Sequence, residues 1–226
     1  MSDPRPIRTE SIEVRRTALV ASLGPDTAAS VRELWYVLHG QSMRAVSFLD
    51  DCRALDDGTR LVVAPEALSR YYAGEVAASR TAPVVASWMT REQREDEIRD
   101  YVRYLDDLHA VVVGRFGGSP PPVAVLGFSQ GGAAALRWVA NGNVKPAHLI
   151  IWASSIAPEI DYAANAAVRT PRFTYVCGTK DIYITPKVLD QQLGMLRIAN
   201  LPHQVESFDG GHRLDDATLT RVATRN

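Results

Sequence analysis

The chain has 226 residues, 46% of them hydrophobic, and its 25 basic and 26 acidic side chains leave a formal charge of -1. That length and apolar content are enough for one well-buried core, and the charge balance excludes the basic footprint of a nucleic-acid binder. The basic amino end (Arg5, Arg8, Arg15, Arg16) is followed by no signal-like apolar run, and no stretch is long enough to span a bilayer. The expectation is one cytoplasmic domain over residues 1–226, without membrane insertion.

In chain order, "IRTESIEVRRTALVAS" predicts two short strands around a turn at Arg15 and Arg16. "ELWYVLHG" is a compact apolar strand ended by glycine, and "SMRAVSFLDDCRALDDG" is a helix stopped at Gly58. "TRLVVAPEA" is the next strand, and residues 65–89 form a long irregular stretch expected to overhang a functional site. "TREQREDEIRDYVRYLDDLHAVVVGRF" carries Ile98, Val102, Leu105 and Leu108 on one helical face, with Thr90 and Gln93 as a capping-box pair. Further strands follow at "PPVAVLGF", "AHLIIWASS", "PRFTYVCG" and "HQVESFDGG", and "TPKVLDQQLGMLRIANLP" is a helix closed by Pro202. Near-continuous apolar strands alternating with helices predict an α/β fold: a mostly parallel sheet of about eight strands, antiparallel at its start, with helices on both faces. Cys52 and Cys177 match no metal motif and read as buried thiols.

Gly127-Phe128-Ser129-Gln130-Gly131 fits G-x-S-x-G, in which a serine on a sharp strand-to-helix turn points its hydroxyl out above the sheet. The setting agrees, since a strand precedes it and "GGAAALRWVA" follows as a helix. A serine could instead merely cap that helix, but a cap needs no glycine on both sides. Ser129 is therefore the candidate nucleophile.

Serine needs a base, usually a histidine oriented by a carboxylate. Of five histidines, His109 falls on the long charged helix and His148 and His203 open strands, whereas His212 lies in the glycine-bearing loop after the last strand. For the acid, Asp181 follows the strand between those leading to Ser129 and His212, so the order is serine, acid, histidine. Glu159 and Asp161 remain competing acids, while Asp209 sits too near His212 to orient its ring easily. Negative charge developing on an attacked carbonyl also needs donors already in place. The backbone N–H groups of Gln41, after His39-Gly40, and of Gln130 suit that duty.

Together, "VLGFSQGGAAAL", "GTKDIYI", "GGHRL" and "LHGQ" resemble the phospholipase/carboxylesterase branch of the α/β-hydrolases, which includes the acyl-protein thioesterases. The likeness spans residues 34 to about 215 and departs from the pattern after His39-Gly40, where Gln41, Ser42 and Met43 stand in place of the usual glycine and aspartate. It implies the α/β-hydrolase fold and a cofactor-free esterase of carboxylic or thio-esters, with Ser129, Asp181 and His212 as its triad. Phe128, Tyr71, Tyr72, Trp88 and Met89 are the candidate substrate-binding walls, which suits a small-molecule ester of modest hydrophobic size. No metal or cofactor is expected. The competing readings are an acyl thioesterase or lysophospholipase of the same fold, and a non-catalytic binding protein on a hydrolase scaffold.

Overall fold

The computed structural model describes residues 6–74 and 81–224. Its main sheet has seven strands in the order β1-β3-β2-β6-β7-β8-β9. These are β1 (Val20–Leu23), β2 (Glu33–Leu38), β3 (Arg60–Pro65), β6 (Val123–Phe128), β7 (His148–Trp152), β8 (Arg172–Gly178) and β9 (Gln204–Phe208). Only β1 runs antiparallel, pairing with β3, so the sheet is mostly parallel as the apolar runs require.

Both faces of the five inner strands β2, β3, β6, β7 and β8 are buried, and the alternation decides which core each residue joins. Leu34, Tyr36, Val125, Leu149, Ile151, Phe173 and Tyr175 point into one cluster with residues of α2 (Arg94–Gly114), α3 (Gln130–Asn141), α4 (Ala166–Arg169) and α5 (Pro186–Ile198). Their neighbours Trp35, Val37, Leu126, Ile150, Trp152 and Val176 point into a second cluster with α1 (Ala45–Asp51) and α6 (Asp216–Thr224). Helices therefore cover both faces, and each contributes an apolar stripe: on α2, Ile98, Val102 and Leu105 are buried and Leu108 packs against them. Cys52 and Cys177 are buried free thiols, and burial pushes both upward, Cys177 to about 11 with the charge of Asp181 adding to it.

Four local expectations are corrected. Residues 6–19 form no strand pair, because the alternating Ile7, Ile12 and Val14 find no apolar surface and stay exposed. The segment instead lies along α2 through polar contacts, Ser11 Oγ–Asp96 Oδ2 at 3.0 Å and Arg103–Glu13 at 2.8 Å. The stretch from 65 to 89 is not irregular throughout: β4 (Ser69–Tyr72) and β5 (Val84–Ser87) form an antiparallel pair, with residues 75–80 between them outside the described residues. The capping box is absent: α2 starts at Arg94 with Gln93 itself as a left-handed N-cap (φ 45°), and the N–H and hydroxyl of Thr90 both go to Glu97. The α1 helix is also shorter than its pattern, ending at Asp51 before a 3-10 turn over Arg53–Leu55.

The chain leaves β2 for β3 on one side and then crosses back to β6 on the other side of β2. Loops at the carboxyl ends of β2 and β6 diverge at such a reversal and open a crevice between them. The loop beginning at His39 and the turn at Ser129 stand at that crevice.

Candidate active site

Ser129 follows β6 directly and occupies the N-cap of α3 with φ 51° and ψ -124°, a conformation L-residues adopt only under constraint. The constraint comes from close backbone packing. A Cβ on Gly127 would lie 2.2 Å from the Gly131 carbonyl oxygen, and one on Gly131 would lie 2.2 Å from the Leu38 oxygen. Both glycines of the motif are thus demanded by contact, the first within the turn and the second against β2. The Ser129 N–H donates to the Trp152 carbonyl at 2.9 Å, which anchors the turn to β7. Its hydroxyl makes no capping bond to α3. It is turned instead towards His212.

His212 Nε2 is 2.9 Å from Ser129 Oγ, and His212 Nδ1 is 2.8 Å from Asp181 Oδ2. Asp181 has a fully buried side chain, and its other oxygen accepts the N–H groups of Tyr183 (2.8 Å) and Ile184 (2.9 Å). With Oδ1 held by the turn, Oδ2 is left to accept from the ring, so Nδ1 carries the proton and Nε2 accepts from the serine hydroxyl. The acid and histidine loops are tied to each other by Lys180 N–H to Gly210 O (2.8 Å) and Thr179 N–H to Phe208 O (2.9 Å). Gly178 permits this approach, since a Cβ there would sit 2.3 Å from the Gly210 oxygen. Trp152 Nε1–H donates to the Arg213 carbonyl at 2.9 Å and fixes the far side of the histidine loop. Three loops at one edge of the sheet are thereby held in register to within hydrogen-bond distance.

The other candidates are engaged elsewhere. Glu159 accepts from Arg137 (2.5 Å) and Arg94 (2.9 Å), Asp161 caps a turn at Ala163 and Ala164, and Asp209 pairs with Lys180 at 2.6 Å. Burial drives His109 and His148 below the usual imidazole range, with Tyr36 bonded to the first and Thr174 and Arg172 to the second. His203 Nδ1–H donates to the Leu201 carbonyl.

Gln41 and Ser129 line the same open cleft of about 670 Å³, with Gly40, Met43, Phe48, Phe128, His212 and Leu214. A Cβ on Gly40 would come within 3.2 Å of Ser129 Cβ, so this loop runs directly beside the hydroxyl. The Gln130 side chain is committed away from the cleft: its Oε1 accepts from Ser87 Oγ and the Trp88 N–H, and its Nε2–H donates to the Met89 carbonyl. The fourth residue of "GFSQGG" therefore clamps residues 87–89, and only its backbone faces the turn.

Of the five residues expected as substrate-binding walls, Phe128 is the one that lines this cleft, its ring 4.9 Å from that of His212 and stacked 5.9 Å from Phe48. Trp88 is 2% exposed, donates to the His39 carbonyl at 2.8 Å and packs on Tyr101. Met89 packs against the core with its sulfur accepting from Arg137. Tyr71 bonds Ser42 through its hydroxyl (2.7 Å), and Tyr72 stands exposed on β4. Their apolar or aromatic character suggested these four, but β5 docks on residues 42 and 43 from behind the loop (Ser42 N–H to Ala86 O, 2.9 Å; Ala86 N–H to Met43 O, 3.0 Å), Trp88 and Met89 just after it go to the core, and Tyr71 and Tyr72 stay exposed on β4. Sequence reasoning missed Met43, Phe48 and Leu214, which read as ordinary helix or loop positions, and Tyr183, whose ring meets His212 edge-on at 4.7 Å. Tyr183 was findable, since it lies two residues past the candidate acid.

Charged side chains that stay exposed to solvent also line the cleft. Asp50, Asp51 and Asp216 line it together with Arg53 and Arg213. Arg53 is paired with Asp50 at 2.5 Å. Partial burial and the charges of Asp50 and Asp216 push the Asp51 carboxyl above its ordinary value. Among the described residues, no group of three or more His, Cys, Asp or Glu side chains has metal-holding geometry, and no helix is long and apolar enough to cross a membrane.

The sequence model of the family described as serine hydrolase (FSH1) matches residues 52–219, a span that takes in Ser129, Asp181 and His212. The chain belongs to the FSH1 serine hydrolase family. No curated protein matches the sequence. Among solved structures, esterase PE8 is similar with a TM-score of 0.66 at 17% identity, over 92% of this chain and 97% of that one. The Bacillus cereus carboxylesterase gives 0.66 at 11% over 91% and 92%, and the Zea mays acyl-protein thioesterase 2 gives 0.64 at 15% over 92% and 96%. Identities this low carry the fold alone, and that fold is the α/β-hydrolase fold that the resemblance implies, built on the mostly parallel sheet expected from the strand pattern. This FSH1-family chain is a serine hydrolase.

Proposed function

We propose that the chain is a carboxylesterase that cleaves small to medium neutral esters through an acyl-enzyme on Ser129. The observation that carries the reading is the unbroken sequence of hydrogen bonds from Ser129 Oγ through His212 to Asp181, at 2.9 and 2.8 Å. His212 Nε2 takes the hydroxyl proton as Oγ bonds to the ester carbon, and the carbonyl π pair moves onto oxygen. The Gln41 and Gln130 N–H groups meet that negative charge, and Asp181 Oδ2 stabilises the imidazolium. Collapse of the intermediate breaks the bond to the alcohol oxygen, which leaves with the proton from Nε2. Water then enters, gives a proton to Nε2 as it attacks the acyl carbon, and the acid departs as Oγ is reprotonated.

The choice of a neutral substrate follows from the cleft. Met43, Phe48, Phe128 and Leu214 offer apolar wall beside the hydroxyl, while Asp50, Asp51 and Asp216 face two guanidiniums that are both already paired, Arg53 with Asp50 and Arg213 with Asp215. An acyl-CoA, with its phosphates, is repelled where an uncharged ester is not. The acid limb of the activity follows from the mechanism, because a protonated imidazole cannot accept the serine proton.

The test is a panel of p-nitrophenyl esters, acyl-CoA and anilides, run beside a fluorophosphonate probe. Expected are ester turnover, probe labelling at Ser129, and loss of both in Ser129→Ala and His212→Ala with unchanged thermal stability. An unreactive chain at every pH tested refutes the proposal and favours a binding protein on this scaffold.

A further inference from the structure

Glu66 is a buried carboxylate that the chemistry above does not use. It follows β3, and its side chain is 1% exposed. Oε2 accepts from Arg44 Nε at 2.5 Å and from the Ala45 N–H at 3.3 Å. Oε1 has no hydrogen-bond partner among the described residues, and Arg70 Nη1 of β4 stands 3.8 Å from it. Burying a carboxylate costs several kcal/mol unless it is well paired, and an apolar residue of the same volume is often no less stabilising. Core packing alone thus gives no reason for this acid.

Its position supplies one. Arg44 is the N-cap of α1 but makes no side-chain capping bond, so the first turn of α1 takes its acceptor from Glu66, on another element. The next residue, Ala67, donates its N–H to His39 Nε2 at 3.0 Å, and His39 Nδ1–H donates to the Gly40 carbonyl at 2.7 Å. Burial drives His39 below the usual imidazole range, which keeps Nε2 an acceptor. Residues 66 and 67 therefore hold segment 40–44 at both ends: the entry through His39 and Gly40, the exit through Arg44 and Ala45. Gln41 lies between the two anchors.

We propose that Glu66 is a positioning residue: its pair with Arg44 and its bond to the Ala45 N–H hold the segment so that the Gln41 N–H meets the developing oxyanion. This rests on the esterase reading given above. The test uses Glu66→Gln and Glu66→Ala in the full chain, with p-nitrophenyl butyrate hydrolysis normalised to active sites titrated by the fluorophosphonate. Inhibition by phenylboronic acid is measured in parallel, because its tetrahedral adduct on Ser129 places an oxygen where the oxyanion forms. A misplaced donor is expected to lower kcat about 10- to 100-fold in Glu66→Ala while KM moves less than about twofold, and to weaken the boronate by the same factor as kcat/KM. Glu66→Gln, whose amide oxygen still accepts from Ala45, falls between that variant and the parent and carries the test if Glu66→Ala does not fold. A kcat per titrated site equal to that of the parent overturns the proposal, as does a loss confined to the number of active sites. An unmodified chain unreactive towards both ester and boronate overturns the esterase reading instead, which separates the two failures.

Discussion

Replacing Asp181 by Asn tests the hydrogen-bond chain at the point where the structure dictates the outcome. Oδ1 accepts two backbone N–H groups, from Tyr183 and Ile184, and Oδ2 accepts from His212 Nδ1. An asparagine in the same place keeps its oxygen towards the two N–H groups, because the opposite orientation strands both at about 1–3 kcal/mol each. Its NH₂ then faces Nδ1 and forces the proton onto Nε2, where it points at Ser129 and blocks proton acceptance. A wrong tautomer with intact geometry costs about 10⁴-fold in kcat for a serine triad, or about 5 kcal/mol at 1.36 kcal/mol per decade. The assay is p-nitrophenyl ester hydrolysis under saturating substrate, with a thermal melt to show that the acid loop is retained. A variant keeping its kcat within about tenfold refutes the tautomer argument, and with it the role assigned to Asp181.

Two further outcomes follow from contacts elsewhere. Gly178→Ala places a Cβ 2.3 Å from the Gly210 oxygen and 2.6 Å from that of Gly211, both backbone atoms of the histidine loop. It is expected to cost about 1–3 kcal/mol, to lower the melting temperature by about 2–4 °C per kcal/mol, and to reduce ester hydrolysis more than folding. A melting scan with the ester assay reads both. His148, buried at the start of β7, has a folded pKa driven down to about 3, first by burial and then by the charge of Arg172. Because its folded value lies below the unfolded one of about 6.5, the unfolded chain binds the extra proton, and stability falls as pH drops through that window to about 3. The slope is about 1.4 kcal/mol per pH unit, and urea unfolding at successive pH values should show it flattened by that amount in His148→Gln. An unchanged slope in that variant counts against a neutral His148.

Much of this molecule was legible in its residue order, for a physical reason. Strands buried on both faces must be apolar throughout, so β2, β3, β6, β7 and β8 announced themselves as unbroken runs, and their alternation with helices left a parallel sheet as the economical topology. The G-x-S-x-G turn was legible because its glycines answer contacts to Gly131 and Leu38 that no side chain can share. His212 and Asp181 stood out by following strands of that same sheet. Where patterns failed, the deciding interaction lay outside the segment. Ile12 and Val14 alternate like a strand but meet no second surface, and Thr90 gives its capping bonds to Glu97 instead of Gln93. Trp88 and Met89 have the composition of a pocket wall, yet β5 pairs with residues 42 and 43 and turns them into the core. Local chemistry, repeated along the chain, determined which elements exist and which loops carry reactive groups. Which of two faces a side chain joins, and which distant acid, base or clamp it meets, depended on packing between elements far apart in sequence, and only the assembled fold decided it.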